Sequence, residues 1–151
     1  RHLELAVGPG VFVPRPETEM VVQHAIDALL HAPDPQPIGI DLSTGSGAIA
    51  LAMATEVPHA RIYAAELSPE AHAWASRNTA DAENLTLVLA DMADAFPELA
   101  GAASGKQYTC IEAGKPADMI QIRLLVEFTV FRKGRNGKGE EAGAKCLFEF
   151  L

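Results

Sequence analysis

One stretch constrains this chain more than any other. Ile38-Gly39-Ile40-Asp41-Leu42 is followed by Ser43-Thr44-Gly45-Ser46-Gly47 and then by Ala48-Ile49-Ala50-Leu51-Ala52-Met53-Ala54. It reads as a buried strand, a glycine turn and an apolar helix. Gly45 and Gly47 permit a tight turn and a close approach of backbone to a ligand. A helix starting near Gly47 directs backbone N–H groups, and the positive end of its dipole, at whatever sits on the turn. An anionic group is therefore expected there. Asp41 adds an acceptor at the carboxyl end of the strand, where open α/β sheets bind ligands.

Two ligand classes fit. Gly45-Ser46-Gly47-Ala48-Ile49-Ala50 matches the G-x-G-x-x-G/A dinucleotide pattern, so an NAD(P)-linked Rossmann oxidoreductase is one reading. S-adenosylmethionine is the other, and Asp41 favours it. The methionine part of that cofactor carries an ammonium and a carboxylate, so it needs an acceptor beside the N–H groups. A pyrophosphate would be repelled by Asp41. An ordinary capped βα turn is the plain structural alternative.

The chain continues in the same rhythm. Leu3 to Val7 alternates and is expected as a short strand, broken by Gly8-Pro9-Gly10. Pro14-Arg15-Pro16 must be extended, and a helix follows from about Glu17 to His31, with Val22, Ile26, Leu29 and Leu30 on one face. Ala32 to Pro37 is a proline-rich linker. Arg61 to Glu66 is expected as the second strand. Ser68 and Pro69 start a helix, as N-cap and first helical residue, that runs to about Ala80. Leu85 to Leu89 is the third strand. The order β-α-β-α-β implies a parallel sheet with flanking helices.

Three acids, Asp41, Glu66 and Asp91, fall at or just after the three successive strand ends. Their spacing of 25 residues is one βα unit each, which lines them along one rim of the sheet. Each alone has a bland reading as a solvated loop carboxylate. Together with the glycine turn they form a site for an adenosine-containing cofactor. Asp41 is assigned to the ammonium side, Glu66 to the ribose hydroxyls and Asp91 to the adenine amino group, with Met92 an apolar neighbour of the ring.

Composition sets the outer limits. A chain of 151 residues makes one domain at most, and no apolar run is long enough to span a membrane. A net charge of −8 argues against general nucleic-acid affinity. Cys110 and Cys146 match no metal or redox spacing, which fits two free thiols in a reducing cytoplasm, and no metal site is expected. The composition breaks near Gly101. Residues 1–100 contain no lysine, nine of the ten prolines, and four arginines against fourteen acids. Residues 101–151 hold eight basic residues against six acids. The break divides the chain into a first part, 1–100, and a divergent tail, 101–151, of different origin or reading frame. The tail is expected to pack as extra strands or to remain loose. Asp118 to Ile122 offers a fourth strand, and Arg132 to Gly139 a basic, glycine-rich loop.

Three runs carry a family resemblance: Gly10-Val11-Phe12-Val13-Pro14-Arg15-Pro16-Glu17-Thr18-Glu19, Asp41 to Ala52, and Glu66-Leu67-Ser68-Pro69-Glu70-Ala71. Over roughly residues 1–100 the chain resembles the HemK-type release-factor glutamine methyltransferases. The P-R-P-E-T-E run is the more specific part, and the glycine turn is shared by many methyltransferases. The resemblance implies a Rossmann-like class I methyltransferase fold, here truncated, with S-adenosylmethionine as cofactor and a peptide chain release factor as partner. The reaction it implies is methylation of the Gly-Gly-Gln glutamine, a step tied to translation termination in the cytoplasm. Ser43, Thr44, Gly45, Ser46 and Gly47 correspond to the cofactor turn. Glu66 stands where the family commonly has the ribose-binding acid, usually Asp, and Asp91 and Met92 stand at the adenine end. Ser43 replaces a usual glycine, which implies a backbone there that avoids positive φ. Thr18 and Glu19 either help order the entrance to the site or simply start a helix.

Two parts of the family pattern are absent from this sequence. The helical substrate domain would lie before Arg1. The Asn-Pro-Pro-Tyr motif after the fourth strand, whose asparagine side chain and proline carbonyl orient the glutamine amide, cannot exist because no proline follows Pro116. No catalytic residue is assigned on this reading, and weak or absent activity is expected. A non-catalytic S-adenosylmethionine-binding or interaction module is the nearest alternative.

Overall fold

The computed structural model describes residues 2–92, 94–100 and 108–112. Among the described residues eight elements follow one another: α1 Thr18–His31, β1 Ile38–Leu42, α2 Ala48–Glu56, β2 Arg61–Glu66, α3 Pro69–Asn78, β3 Leu85–Leu89, α4 Pro97–Ala100 and β4 Tyr108–Glu112. The strands form one sheet in the order β3-β2-β1-β4, and every neighbouring pair is parallel. The three strands expected from the apolar runs at 38–42, 61–66 and 85–89 are all present. The parallel sheet with helices between its strands is the α/β architecture expected of the first hundred residues.

Alternation within the strands divides the core into two layers. Ile62 and Ala64 of β2 point to a cluster formed with Val22, Ile26 and Leu29 of α1 and Ala50, Met53 and Ala54 of α2. Ile38, Ile40, Leu42 and Ala65 point to the opposite face, where Tyr63, Val88, Phe96 and Leu99 pack against them. The rings of Tyr63 and Phe96 meet edge to face with centroids 5.3 Å apart. Fully burying a side chain of this kind contributes about 1.5–3 kcal/mol. β1 carries no side chain at position 39, and this lets both helices sit close. A Cβ there would lie 2.8 Å from Ile62 Cδ1 and 3.3 Å from Met53 Sδ. α2 has no polar face because it is enclosed: Ala50, Ala52, Met53 and Ala54 are all buried.

Local signals place the element ends. Ser68 caps α3, its Oγ accepting from Ala71 N at 3.3 Å, with Pro69 in the first turn. α1 starts without a side-chain cap, one residue later than expected, and α3 stops at Asn78 rather than near Ala80.

Two expectations change. Leu3 to Val7 is not a strand. Its alternation is real, but the backbone of Ala6 pairs with the side chain of Asn78 instead of another strand. The fourth strand of the sheet is Tyr108–Glu112, within the 101–151 tail, where it pairs with β1 in the register Ile38 to Tyr108 through Leu42 to Glu112. The strand expected at 118–122 and the basic loop at 132–139 lie outside the described residues. No helix among the described residues is long and apolar enough to cross a membrane.

Candidate cofactor site

The glycine turn is built from three residues with left-handed backbone: Ser43 at φ 61°, Gly45 at φ 61° and Gly47 at φ 81°. The expectation that Ser43 avoids positive φ is therefore overturned. The cause lies in the next residue. Thr44 N–H continues the ladder onto Ala65 O at 3.0 Å, while Thr44 Oγ1 donates to Asp41 Oδ2 at 2.5 Å. Both bonds pull the chain back over the strand end, and residue 43 absorbs the reversal. A non-glycine residue in this region costs about 1–2 kcal/mol, so the turn stores strain.

Asp41 lies under the turn. It is 1% exposed, and its Oδ2 accepts from Thr44 Oγ1 and from Ala50 N at 3.1 Å, fastening the strand end to the first turn of α2. Its other oxygen, Oδ1, is buried and has no hydrogen-bond partner. Burial pushes the carboxyl up to about 7, the Thr44 and Ala50 hydrogen bonds oppose that rise, and the charge of Glu66 adds to it.

Glu66 closes the turn from the next strand. Its Oε2 accepts from Gly45 N at 2.8 Å, and its Oε1 accepts from Leu67 N and Ser68 N, both at 2.9 Å. The side chain is buried, and three backbone amides hold it. Two amides of α2 remain ahead of the helical ladder. Leu51 N–H makes the first intrahelical bond, to Gly47 O at 2.8 Å, and Ala50 N–H is taken by Asp41. Ala48 and Ile49 therefore present the N–H groups of the helix start.

The third acid behaves differently. β3 exits beside β2, with Ala90 N bonded to Glu66 O at 3.0 Å. Asp91 comes next, on the surface, and Met92 is 41% exposed. Leu67 and Leu89, at the ends of β2 and β3, are also exposed, at 65% and 51%. Sequence reasoning missed these two; the signal was an apolar residue one or two positions from a rim acid. Hydrogen bonds thus join Asp41, Thr44 and Gly47, and join Gly45 to Glu66, with Ser43 and Ser46 carried in the same turn and Asp91 and Met92 on the adjoining rim. Thr18 is half-buried and Glu19 exposed in the first turn of α1.

A concavity of about 850 Å³ lies at the opposite, amino end of the strands, among Arg61, His59, Asp81 and Glu83. Its mixed charges select no ligand sign. Among the described residues no group of His, Cys, Asp or Glu could hold a metal ion.

No family model matches the chain. Curated relatives do. The chain is 54% identical over 101 residues to the release factor glutamine methyltransferase of Streptomyces coelicolor, covering 67% of this chain and 36% of that protein. It is 45% identical over 108 residues to the protein of the same name from Bifidobacterium longum, covering 66% and 36%. It is also 43% identical over 98 residues to the 4-amino-L-phenylalanine/4-methylamino-L-phenylalanine methyltransferase of Streptomyces pristinaespiralis, covering 63% and 33%. The chain thus spans about a third of the length of the curated relatives it matches. Among solved structures, the human METTL16 N-terminal domain in complex with SAH is similar with a TM-score of 0.57 at 16% identity, covering 80% of this chain and 50% of that one. The precorrin-6y C5,15-methyltransferase of Geobacter metallireducens is similar with a TM-score of 0.55 at 18% identity, covering 75% and 56%. The resemblance read from residues 1–100 thus stands, and the fold of the described residues is the Rossmann-like fold of class I methyltransferases.

Proposed function

We propose that residues 1–100 are the cofactor-binding part of a release-factor glutamine methyltransferase, and that the cofactor is S-adenosylmethionine. The observation that carries the cofactor assignment is Asp41 Oδ1, a buried acceptor without a partner beside the amino end of α2. A dinucleotide sets its pyrophosphate, an anion, on this turn and so brings no cation to it. The cofactor's ammonium satisfies Oδ1, while the Ala48 and Ile49 amides suit the adjoining carboxylate. When bound, the cofactor supplies an electrophilic methyl group on a sulfonium.

The chain's own residues orient rather than react. An ionised carboxylate offers about four acceptor sites, and three of those of Glu66 already receive amide hydrogens. One ribose hydroxyl fits without loss, and a second displaces the Gly45 N–H. Asp91 is assigned to the adenine amino group and Met92 to its ring. The acceptor is taken from the names of the relatives in Streptomyces coelicolor and Bifidobacterium longum. The release factor is therefore the proposed partner, and translation termination in the cytoplasm the proposed setting.

A neutral amide is a poor nucleophile, so alignment and charge stabilisation make up most of such a catalyst. The sequence contains no Asn-Pro-Pro-Tyr to provide them. The expected result is binding of S-adenosylmethionine without turnover. The test is transfer of labelled methyl to a release factor carrying Gly-Gly-Gln, with the chain in excess and long incubation. Incorporation at the single glutamine would overturn the prediction of inactivity. The likeness to an aminophenylalanine methyltransferase supports a second reading, in which the shared region serves amine acceptors as well. Labelling of 4-aminophenylalanine but not of the release factor would favour it.

A further inference from the structure

The side chain of Asn78, at the last position of α3, connects two segments far apart in sequence. Its Nδ2 donates to Ala6 O at 2.9 Å and to Ser46 O at 2.8 Å, and its Oδ1 accepts from Ala6 N at 2.8 Å. Both amide hydrogens are used, and the orientation is fixed, because Ala6 N–H requires the oxygen on its side. Ser46 is a residue of the cofactor turn. Ala6 belongs to residues 3–11, which run along α3 as a strap and lead into Phe12-Val13-Pro14-Arg15-Pro16.

The strap has a second hold on the same helix. Trp74 Nε1 donates to Pro9 O at 3.1 Å, and the indole lies so close to Gly8 that a Cβ there would be 2.4 Å from Trp74 Cζ2. On its other side, the end of α3 abuts the turn directly. A Cβ at Gly47 would lie 3.1 Å from Thr79 Cγ2 and 3.4 Å from Ala75 Cα. The last turn of α3 is thus one plate with the strap on one side and the cofactor turn on the other, and Asn78 is bonded to both.

We propose that Asn78 is a positioning residue that makes cofactor affinity depend on the seating of the strap. Its bonds to Ala6 hold the carboxamide in place, and the held carboxamide fixes the Ser46 carbonyl and so the peptide plane entering Gly47. Coupling of this kind is reciprocal: a strap that improves cofactor binding is itself held more firmly when cofactor is bound. The proposal rests on the S-adenosylmethionine reading of the turn.

The test is calorimetric titration of S-adenosylhomocysteine into the full chain, its Gly8→Ala and Asn78→Asp variants, and the double variant. Gly8→Ala unseats the strap without touching the site. Asn78→Asp keeps the shape but removes both donors. Each single change is expected to weaken binding about 5- to 30-fold, and the double change no more than the worse single one. Trp74→Phe removes the bond to Pro9 and part of the indole's packing on Gly8, so it stands in if Gly8→Ala fails to fold, with a loss in the same direction expected. In parallel, hydrogen exchange at the Ala6 amide should slow when S-adenosylhomocysteine is added to the unaltered chain and should not respond in Asn78→Asp. Losses that multiply in the double variant, or strap variants that bind as tightly as the unaltered chain, would overturn the coupling while leaving the cofactor reading intact. No binding by the unaltered chain would overturn both.

Discussion

The ends of β1 and β2 lie side by side on one rim, and each carries an acid, yet the two carboxylates live in opposite circumstances. Glu66 is held by three backbone amides, two from its own βα turn and one from the neighbouring one. Asp41 has one oxygen engaged by Thr44 and Ala50 and the other left buried and unpaired. The same residue class at the same topological position is a brace in one strand and an unfinished site in the next. Position on the rim decides that an acid is present; the number of N–H groups aimed at it decides what it can still do.

The largest expected effect is at β2. Glu66→Ala removes the acceptor for Gly45, Leu67 and Ser68 N–H along with the proposed ribose contact. One charge-assisted hydrogen bond is worth about 1.5–3 kcal/mol, so S-adenosylhomocysteine affinity should fall at least ~10-fold. The melting temperature should fall as well, because three amides lose their partner. An unchanged dissociation constant with a lowered melting temperature would make Glu66 a brace alone, and the comparison would become sharper still.

The effect at β1 depends on pH and is the smaller of the two near pH 7. Burial raises the carboxyl of Asp41 from 3.8 to about 7 in the folded chain, so between those values the folded state holds a proton that the unfolded state has lost. Stability from this group is therefore greatest below pH 4 and declines as pH rises to about 7, by roughly 1.4 kcal/mol per unit. Asp41→Asn, which cannot ionise, should gain stability relative to the unaltered chain from pH 4 to pH 7 in denaturant melts. The ligand's ammonium favours the ionised form, so binding sheds the proton. Affinity of the unaltered chain for S-adenosylhomocysteine should drop by up to about tenfold per unit below pH 7, and that of Asp41→Asn should stay flat. Parallel profiles for the two chains would mean that Oδ1 faces no cation.

Much of this was legible in the sequence, for identifiable reasons. The strands of the first hundred residues are apolar runs bounded by turn residues, and the spacing from Asp41 to Glu66 is one βα unit, which alone puts both acids on one rim. Ser68 and Pro69 announced the start of α3 through local chemistry. What was not legible depends on distant partners. The positive φ of Ser43 is imposed by Thr44 reaching both Ala65 and Asp41. The hold of Asn78 on Ala6 spans 72 residues and takes the place of a strand partner, so the alternation of Leu3 to Val7 did not make a strand. β4 did leave a signal, in the strand-favouring Tyr108, Thr109 and Ile111 and the closing Glu112, but the next apolar run drew the assignment away.

The central claim is that the β1 and β2 ends together form a site for a cofactor that carries both an ammonium and an adenosine. Calorimetric titration of the full chain at pH 8 with S-adenosylmethionine, S-adenosylhomocysteine and NAD tests it most directly. Saturable binding of the first two at one site, with NAD at least tenfold weaker, is the predicted result. NAD binding as tightly as either, or no binding of the first two, would contradict the account.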